Sequence, residues 1–213
     1  MSRWIRRCVC VAAASGLILL SAGCAKENEV VPLTIPERTG SLIGSTKALQ
    51  GMRVGVKPFE DRRHEPSLLG MKSGRFGSLD SYNFVVSGAD VGQAVADGLV
   101  QYLAEHGAEA ETVRFGAPPQ TDVMISGEII DLSADANPGW WSTRVTAKAS
   151  LLIESENRAD GARARITAGA SDARSVGWFR PAHAQSLLNQ VLLESFAKWK
   201  ASVKVDGKSI LPK

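Results

Sequence analysis

The chain has 213 residues, with 25 Lys and Arg against 22 Asp and Glu. The formal charge of +3 comes entirely from three arginines in residues 1–23, and the remaining 190 residues carry 22 basic and 22 acidic side chains. This balance excludes net positive charge as an argument for nucleic-acid binding, and we expect no nucleic-acid partner.

Residues 1–23 have the order of a secretory signal peptide. A cationic start is followed by a 13-residue apolar run, Cys8 to Leu20, and then by the small residues Ser21, Ala22 and Gly23. At ~1.5 Å per residue a helical run of this length spans only ~20 Å, less than the ~30 Å hydrocarbon core of a bilayer. A permanent transmembrane helix is therefore not expected.

The stretch Leu20-Ser21-Ala22-Gly23-Cys24 resembles a bacterial lipobox. In a lipobox the cysteine thiol, here that of Cys24, takes a diacylglyceryl group, and the signal peptide is cut off at the bond between Gly23 and Cys24. Ser21 departs from the leucine that is commonest there, and the alternative is an ordinary signal peptide with a chance cysteine. We expect a lipid anchor at Cys24 that makes the membrane a partner. Ala25, where an aspartate would resemble an inner-membrane retention signal, favours the periplasmic face of the outer membrane.

The mature chain then divides into a lipidated tether at 24–50, a single periplasmic domain at 51–205 and a C-terminal tail at 206–213. The tether holds Pro, Ser, Thr and Gly, and an edge strand over Val30–Ile35 is one alternative within it. Cys8 and Cys10 leave with the signal peptide. The domain therefore has no cysteine for disulfides or thiolate metal ligands.

The first half of the domain is predicted as a strand, a long loop and a helix. Met52–Phe59 alternates in hydrophobicity and predicts a strand, whereas 60–87 has no clear period and is interpreted as a loop. The residues 90–106 have helical periodicity, with Asp90 as the N-cap and Gln93 completing a capping box. A short strand over 110–115 follows.

The second half predicts three long strands and a helix. Residues 123–132, 145–153 and 162–170 alternate, the pair Ile129-Ile130 suggests a bulge or a strand covered on both faces, and 157–161 forms a turn. Pro181 opens a helix with an apolar stripe from Leu188 to Val203. We therefore predict an α+β fold: one mainly antiparallel sheet of four to five strands with two main helices packed on one face.

No catalytic or metal-binding set is apparent. His64, His106 and His183 lack partners at metal-ligand spacing, and His106 is expected to interact with the last carbonyls of its helix. No nucleophile elbow or Ser/His/Asp set is present. We expect no enzyme activity, no metal and no cofactor.

Two features predict a binding surface. Trp140 and Trp141 lie at a turn between strands, where aromatic side chains often contact partners; the alternative is that one of them plugs the end of the sheet. We expect Trp141 to be the buried ring and Trp140 the contact. The outward side chains of the following hairpin form a cationic set that could meet anionic lipid or polysaccharide, or be an ordinary solvated face: Arg144, Lys148, Arg163 and Arg165.

The order of motifs resembles the YajG-like bacterial lipoproteins. The shared features are the lipobox and five segments of the domain: Asp61-Arg62-Arg63, Leu103 to Gly107, Val123 to Leu132, Thr143 to Ala149 and Asn189-x-Val191-Leu192. The Trp pair and the enlarged segment after Asp61 depart from that pattern. The resemblance implies no activity or catalytic residue.

The sequence thus favours a non-enzymatic lipoprotein that binds a protein partner in envelope assembly or maintenance. The alternative is a lipid- or glycan-binding carrier of the periplasm, which would need a deep apolar pocket.

Overall fold

A computed structural model describes residues 28–31, 49–74, 82–86, 90–113 and 120–213 of the protein. The predicted signal peptide and Cys24 lie outside these residues, as does most of the predicted tether. Within the part described, no helix has the length and apolar character of a bilayer span.

The described residues form eleven strands and two helices. In chain order these are β1 Asn28–Val31, β2 Arg53–Val56, β3 Glu60–Asp61, β4 Gly70–Lys72, β5 Tyr82–Val86, α1 Val91–Glu105, β6 Glu109–Thr112, β7 Val123–Pro138, β8 Thr143–Asn157, β9 Arg163–Val176, α2 Pro181–Ser202, β10 Val203–Asp206 and β11 Ser209–Pro212.

Strand β7 organises the main sheet. One edge of β7 pairs with β8 in antiparallel fashion, and β8 pairs with β9 in the same way. The other edge of β7 accepts three short strands in succession, β2, β3 and β4, all parallel to it. Beyond them, β6 pairs parallel with β2, β5 pairs antiparallel with β4, and β1 pairs parallel with β5.

The prediction of an α+β fold with one mainly antiparallel sheet of four to five strands is therefore wrong. The described residues build a mixed sheet of nine strands plus a separate two-stranded sheet, β10–β11. The segment 60–87, predicted as a loop, supplies β3, β4 and β5, and the predicted tether supplies β1. Strands β3 and β4 have two and three residues, too few for alternation to be recognised, and both pair with β7, which is distant in sequence. Strand β1 overlaps the alternative of an edge strand at Val30 and Val31.

Local chemistry explains two irregular points of this sheet. Ile130 is the extra residue of a β-bulge, because the pairing of β7 with β8 shifts between Ile129 and Asp131; its side chain is exposed, and the predicted bulge is confirmed. At the start of β4, Gly70 adopts a φ of 133° and lies against the carbonyl of Ala134. A side chain at this position would overlap that carbonyl.

Both helices contribute to one hydrophobic core. Leu99 and Leu103 of α1 and Phe196 and Trp199 of α2 are buried in the same cluster as the inward side chains of β7, β8 and β9. The inward positions of β8 and β9 include several alanines, which let α2 approach the sheet closely: Ala147, Ala149, Ala164, Ala168 and Ala170. The predicted alternation of these strands is confirmed.

The start of α1 agrees only in part with the expected cap. Asp90 Oδ1 accepts a hydrogen bond from the backbone N–H of Gly92 at 2.9 Å, as an N-cap should. Gln93 does not complete a capping box; its side-chain amide donates to Asp97 Oδ1 at 2.8 Å. The helix ends at Glu105, and Gly107, just beyond the C-cap residue His106, adopts a φ of 93°.

The last residues, predicted as a tail, are an ordered part of the fold. Strands β10 and β11 form a hairpin, and Ile210 is buried. The side chain of Asn157, at the end of β8, donates to the carbonyl of Ile210 at 3.0 Å and accepts from its N–H at 2.8 Å. Asn157 and Ile210 are far apart in sequence, so their pairing leaves no local pattern from which the sequence could predict it.

Candidate functional site

Three exposed tryptophans lie at one end of the long strands. Pro138 of β7 pairs with Thr143 of β8, and Thr143 pairs with Val176 of β9, so the residues just beyond these pairs meet at the same end of the sheet. They include Trp140, Trp141 and Trp178, which are 64%, 86% and 83% exposed. These three residues are called the tryptophan tip below.

The β7–β8 turn presents its two indoles to solvent. Gly139 donates its N–H to the carbonyl of Ser142 at 2.7 Å, which closes the turn. The rings of Trp140 and Trp141 contact each other edge to face, with centroids 6.0 Å apart and an interplanar angle of 80°. The alternative that one indole plugs the sheet is wrong, and so is the expectation that Trp141 is buried.

Trp178 was not recognised from the sequence. It lies between β9 and α2, next to Phe179. The ring centroid of Phe179 is 6.1 Å from that of Phe84 and 6.2 Å from that of His183. Because Phe179 takes the inward position, Trp178 faces outward. The available signal was Gly177-Trp178 just before the helix-opening Pro181, a loop composition in which a large aromatic residue has little to pack against.

The cationic set lies on the sheet face opposite the helices, but its members are not equivalent. Arg163 forms ion pairs with Glu154 at 3.8 Å and with Glu156 at 3.2 Å, and Arg165 forms one with Glu128 at 3.7 Å. Neighbouring carboxylates therefore compensate both arginines, which is typical of a solvated sheet face.

Arg144 and Lys148 lie toward the tryptophan tip instead. Arg144 pairs across the sheet with Asn137 and Ser175, and Lys148 pairs with Ser133 and Ser171. No ion pair between described residues involves either side chain. Arg165 of β9 pairs with Glu154, which lies ten residues along β8 from Arg144. At the rise of a β-strand this separation is roughly 33 Å. The structure therefore does not gather the four cations into one patch.

The outward face of the sheet carries a depression of about 240 Å³. Half of the residues that line it are charged, and the full set is Lys57, Pro58, Glu60, Ser126, Gly127, Glu128, Leu152 and Glu154. Binding pockets for small molecules are commonly ~300–1,000 Å³ and mostly apolar. This depression is too small and too polar to hold an acyl chain as a carrier would.

Two of the histidines serve the ends of helices. His106 Nδ1 lies 2.7 Å from the carbonyl oxygen of Tyr102 in the last turn of α1, which confirms the expected interaction. His183 Nδ1 accepts the backbone N–H of Arg180 at 3.1 Å at the start of α2. Among the described residues, no three His, Cys, Asp or Glu side chains are grouped as metal ligands would be.

Comparison with known proteins shows likeness at the level of fold. No protein-family model matches the chain, and no curated protein does. The protein XCC0632 from Xanthomonas campestris, of family DUF330, aligns with a TM-score of 0.53 and 12% identity over 80% of this chain and 91% of its own. The chain thus shares its fold with a bacterial protein of that family.

Two further solved structures align less closely. An uncharacterised protein aligns with a TM-score of 0.49 and 9% identity over 82% of this chain and 98% of its own. The lipoprotein GNA1162 from Neisseria meningitidis aligns with a TM-score of 0.35 and 10% identity over 70% of this chain and 98% of its own.

Proposed function

We propose that the protein is a lipid-anchored, non-enzymatic binding module at the periplasmic face of the bacterial outer membrane, related to the YajG-like lipoproteins. The observation that carries the proposal is the lipobox-like stretch Leu20 to Cys24, whose cysteine is only four residues before Asn28, where the first described strand begins. Two or more acyl chains on Cys24, each contributing ~0.8 kcal/mol per buried CH₂, hold a protein stably on a membrane.

The charged groups of the domain support a non-enzymatic role. The pKa of Asp61 and the pKa of Asp122 are both lowered. The guanidinium of Arg63 donates to the carboxylate of Asp61, and the backbone N–H of Arg53 donates to the carboxylate of Asp122. A catalytic carboxyl acting as a general acid would instead need a raised pKa. These two acids therefore act as structural ion-pair partners. The protein would work by holding a partner in envelope assembly or maintenance.

The anchor is tested by cell fractionation of Cys24→Ser, with Cys10→Ser as the matched control. Because Cys10 lies within the apolar run of the predicted signal peptide, its serine variant should be processed and retained in membranes like the wild type. The Cys24→Ser variant should be uncleaved or soluble. A Cys24→Ser protein that is cut after Gly23 and still sediments with membranes would show that no lipid on Cys24 anchors it.

The protein partner is tested by photo-crosslinking in intact cells followed by mass spectrometry. A crosslinker at Lys148, on the outward sheet face, is compared with one at Ala159, in the turn at the opposite end of the hairpin. One protein captured reproducibly from the first position and not from the second supports a binding module. Identical patterns from both positions, or none, would contradict a partner on this face.

A further inference from the structure

We propose that the tryptophan tip inserts into the headgroup region of the same bilayer leaflet that holds the lipid on Cys24. The domain would then rest on the membrane with the β7–β8 turn and Trp178 downward, and would not hang on a long flexible tether. This inference rests on the proposed lipid anchor.

The directions of the strands place Asn28, where the described part of the domain begins, at the same end of the sheet as the tryptophan tip. β4 is parallel to β7, β5 is antiparallel to β4, and β1 is parallel to β5, so β1 runs opposite to β7. Asn28 is level with Asn83, which is level with Met71, and the N–H of Met71 donates to Asp135 Oδ1 at 3.1 Å. The first described residue therefore lies level with Asp135, three residues from the end of β7 at Pro138.

The chain between Cys24 and Asn28 is so short that the position of Asn28 determines which end of the domain lies at the membrane. Four residues reach at most ~14 Å even when fully extended. The three residues from Asp135 to Pro138 cover ~10 Å along the sheet. A headgroup layer is ~5–7 Å thick on each side of the hydrocarbon core. A Cys24 whose acyl chains are buried in the bilayer therefore keeps the tip end of the domain at the membrane surface.

The side chains at this end have the chemistry of a membrane interface. Tryptophan is enriched at the headgroup level because its ring is apolar and its indole N–H is polar. The three most exposed of the large apolar side chains in the described part of the chain are the three tryptophans of the tip. The exposed area of the tip would also suit a protein partner. A protein partner, however, would not explain why the tip lies at the end of the domain to which the lipid anchor is attached.

The charges beside the tip agree with a phospholipid surface. Arg144 follows the β7–β8 turn and Arg180 follows Trp178, and both side chains are exposed. Their guanidinium groups can bind headgroup phosphates while the indoles lie slightly deeper. The carboxylates of Glu128, Glu154 and Glu156 lie toward the other end of the sheet, where they would be far from the bilayer.

The test measures the depth of the indoles in vesicles of phosphatidylethanolamine and phosphatidylglycerol. The lipidated protein is reconstituted into these vesicles with and without phospholipid brominated near the top of its acyl chains, which quenches only indoles at that depth. Trp199 is 1% exposed and serves as an internal control. We expect wild-type emission to be quenched, and a Trp140→Phe, Trp141→Phe, Trp178→Phe variant to lose that quenching.

Two further measurements make the outcome decisive. Flotation of the same vesicles reports the anchor independently, so failure of the anchor and failure of the tip are distinguished. Adding Ala159→Trp to the triple variant places an indole at the opposite end of the hairpin, where no quenching is expected. Protein that floats with its vesicles but shows no quenching above the triple variant would overturn the proposal, and a protein crosslink from position 140 in that case would assign the tip to a protein partner. Equal quenching from position 159 would also overturn it.

Discussion

Asp61 and Arg63 form a two-point ion pair across one intervening residue. Arg63 Nε donates to Asp61 Oδ1 at 2.9 Å, and Arg63 Nη2 donates to Asp61 Oδ2 at 2.7 Å. The same guanidinium donates to the carbonyls of Pro66 at 2.7 Å, Leu68 at 2.6 Å and Leu132 at 3.1 Å. The side chain of Arg63 is only 6% exposed, so these bonds attach the segment after β3 to β7 and leave its charge compensated.

Replacing Arg63 by Met should destabilise the domain strongly. It would leave the carboxylate of Asp61 and three carbonyls without this donor, and breaking a buried pair on one side costs ~3–5 kcal/mol. Arg62→Met is the matched control, because Arg62 pairs with Glu60 at 2.9 Å on the surface, where both side chains are more than half exposed. That change should cost less than ~1 kcal/mol. Similar urea midpoints for the two variants would refute a structural role for Arg63.

Acid should remove part of the stability through Asp61 and Asp122. Burial raises the pKa of Asp61, but the hydrogen bonds and the charge of Arg63 outweigh it, so the pKa lies below the ordinary value of 3.8. For Asp122, the backbone N–H of Arg53 is the main cause of a lowered pKa, with smaller contributions from the side chains of Arg53 and Lys208.

The sign of the pH effect follows from these directions. A carboxyl with a lowered pKa in the folded state binds fewer protons there than in the unfolded chain, so its stabilisation is full above the unfolded pKa of about 4 and disappears as the pH falls through the folded pKa. Urea midpoints measured between pH 7 and pH 2.5 should fall steeply at the acid end. The decline should be shallower in an Asp61→Asn, Asp122→Asn variant. An unchanged slope would mean that neither carboxylate contributes to the loss of stability in acid.

The faces of β8 can be tested at adjacent positions. Ala149 is 3% exposed and belongs to the core against which α2 packs, whereas Ser150 points to the outward face opposite Asp131 and Gly169. Ala149→Leu should cost ~1–3 kcal/mol by overpacking, and Ser150→Lys should change little. Thermal melting of both variants measures the difference, and equal melting temperatures would mean that the faces are assigned wrongly.

The sequence predicted those parts of the fold in which one element is long enough to show its period. The fifteen residues of α1 and the alternation of β8 meet that condition. The two residues of β3 and the three of β4 do not, and their pairing is fixed by β7, which is distant in the chain. Tertiary packing therefore decides whether such segments become strands.

The candidate site shows the same limit. Trp140 and Trp141 could be predicted as surface residues from their turn, but the burial of either ring could not be decided from neighbouring residues. Arg163 and Arg165 were grouped with Arg144 because one strand period relates them, while the carboxylates that compensate them lie on adjacent strands. Trp178 joins the tip only through the register of β9 with β8.

The contact between Asn157 and Ile210 offers the sharpest test of the C-terminal hairpin. Asn157 is 1% exposed, and its side-chain amide makes with Ile210 the two hydrogen bonds that a neighbouring strand would make. Asn157→Ala leaves a buried N–H and a buried carbonyl without these partners, each at a cost of ~1–3 kcal/mol.

A chain ending at Asp206 lacks β11 and therefore this contact, so the mutation and the truncation should not be additive. Urea unfolding of the four combinations gives the coupling between them, because independent changes add within ~0.5 kcal/mol. We expect Asn157→Ala to destabilise the full chain clearly and to have much less effect in the truncated one. Additive losses would show that the last seven residues contribute to stability without Asn157, and that this asparagine does not hold the hairpin to the sheet.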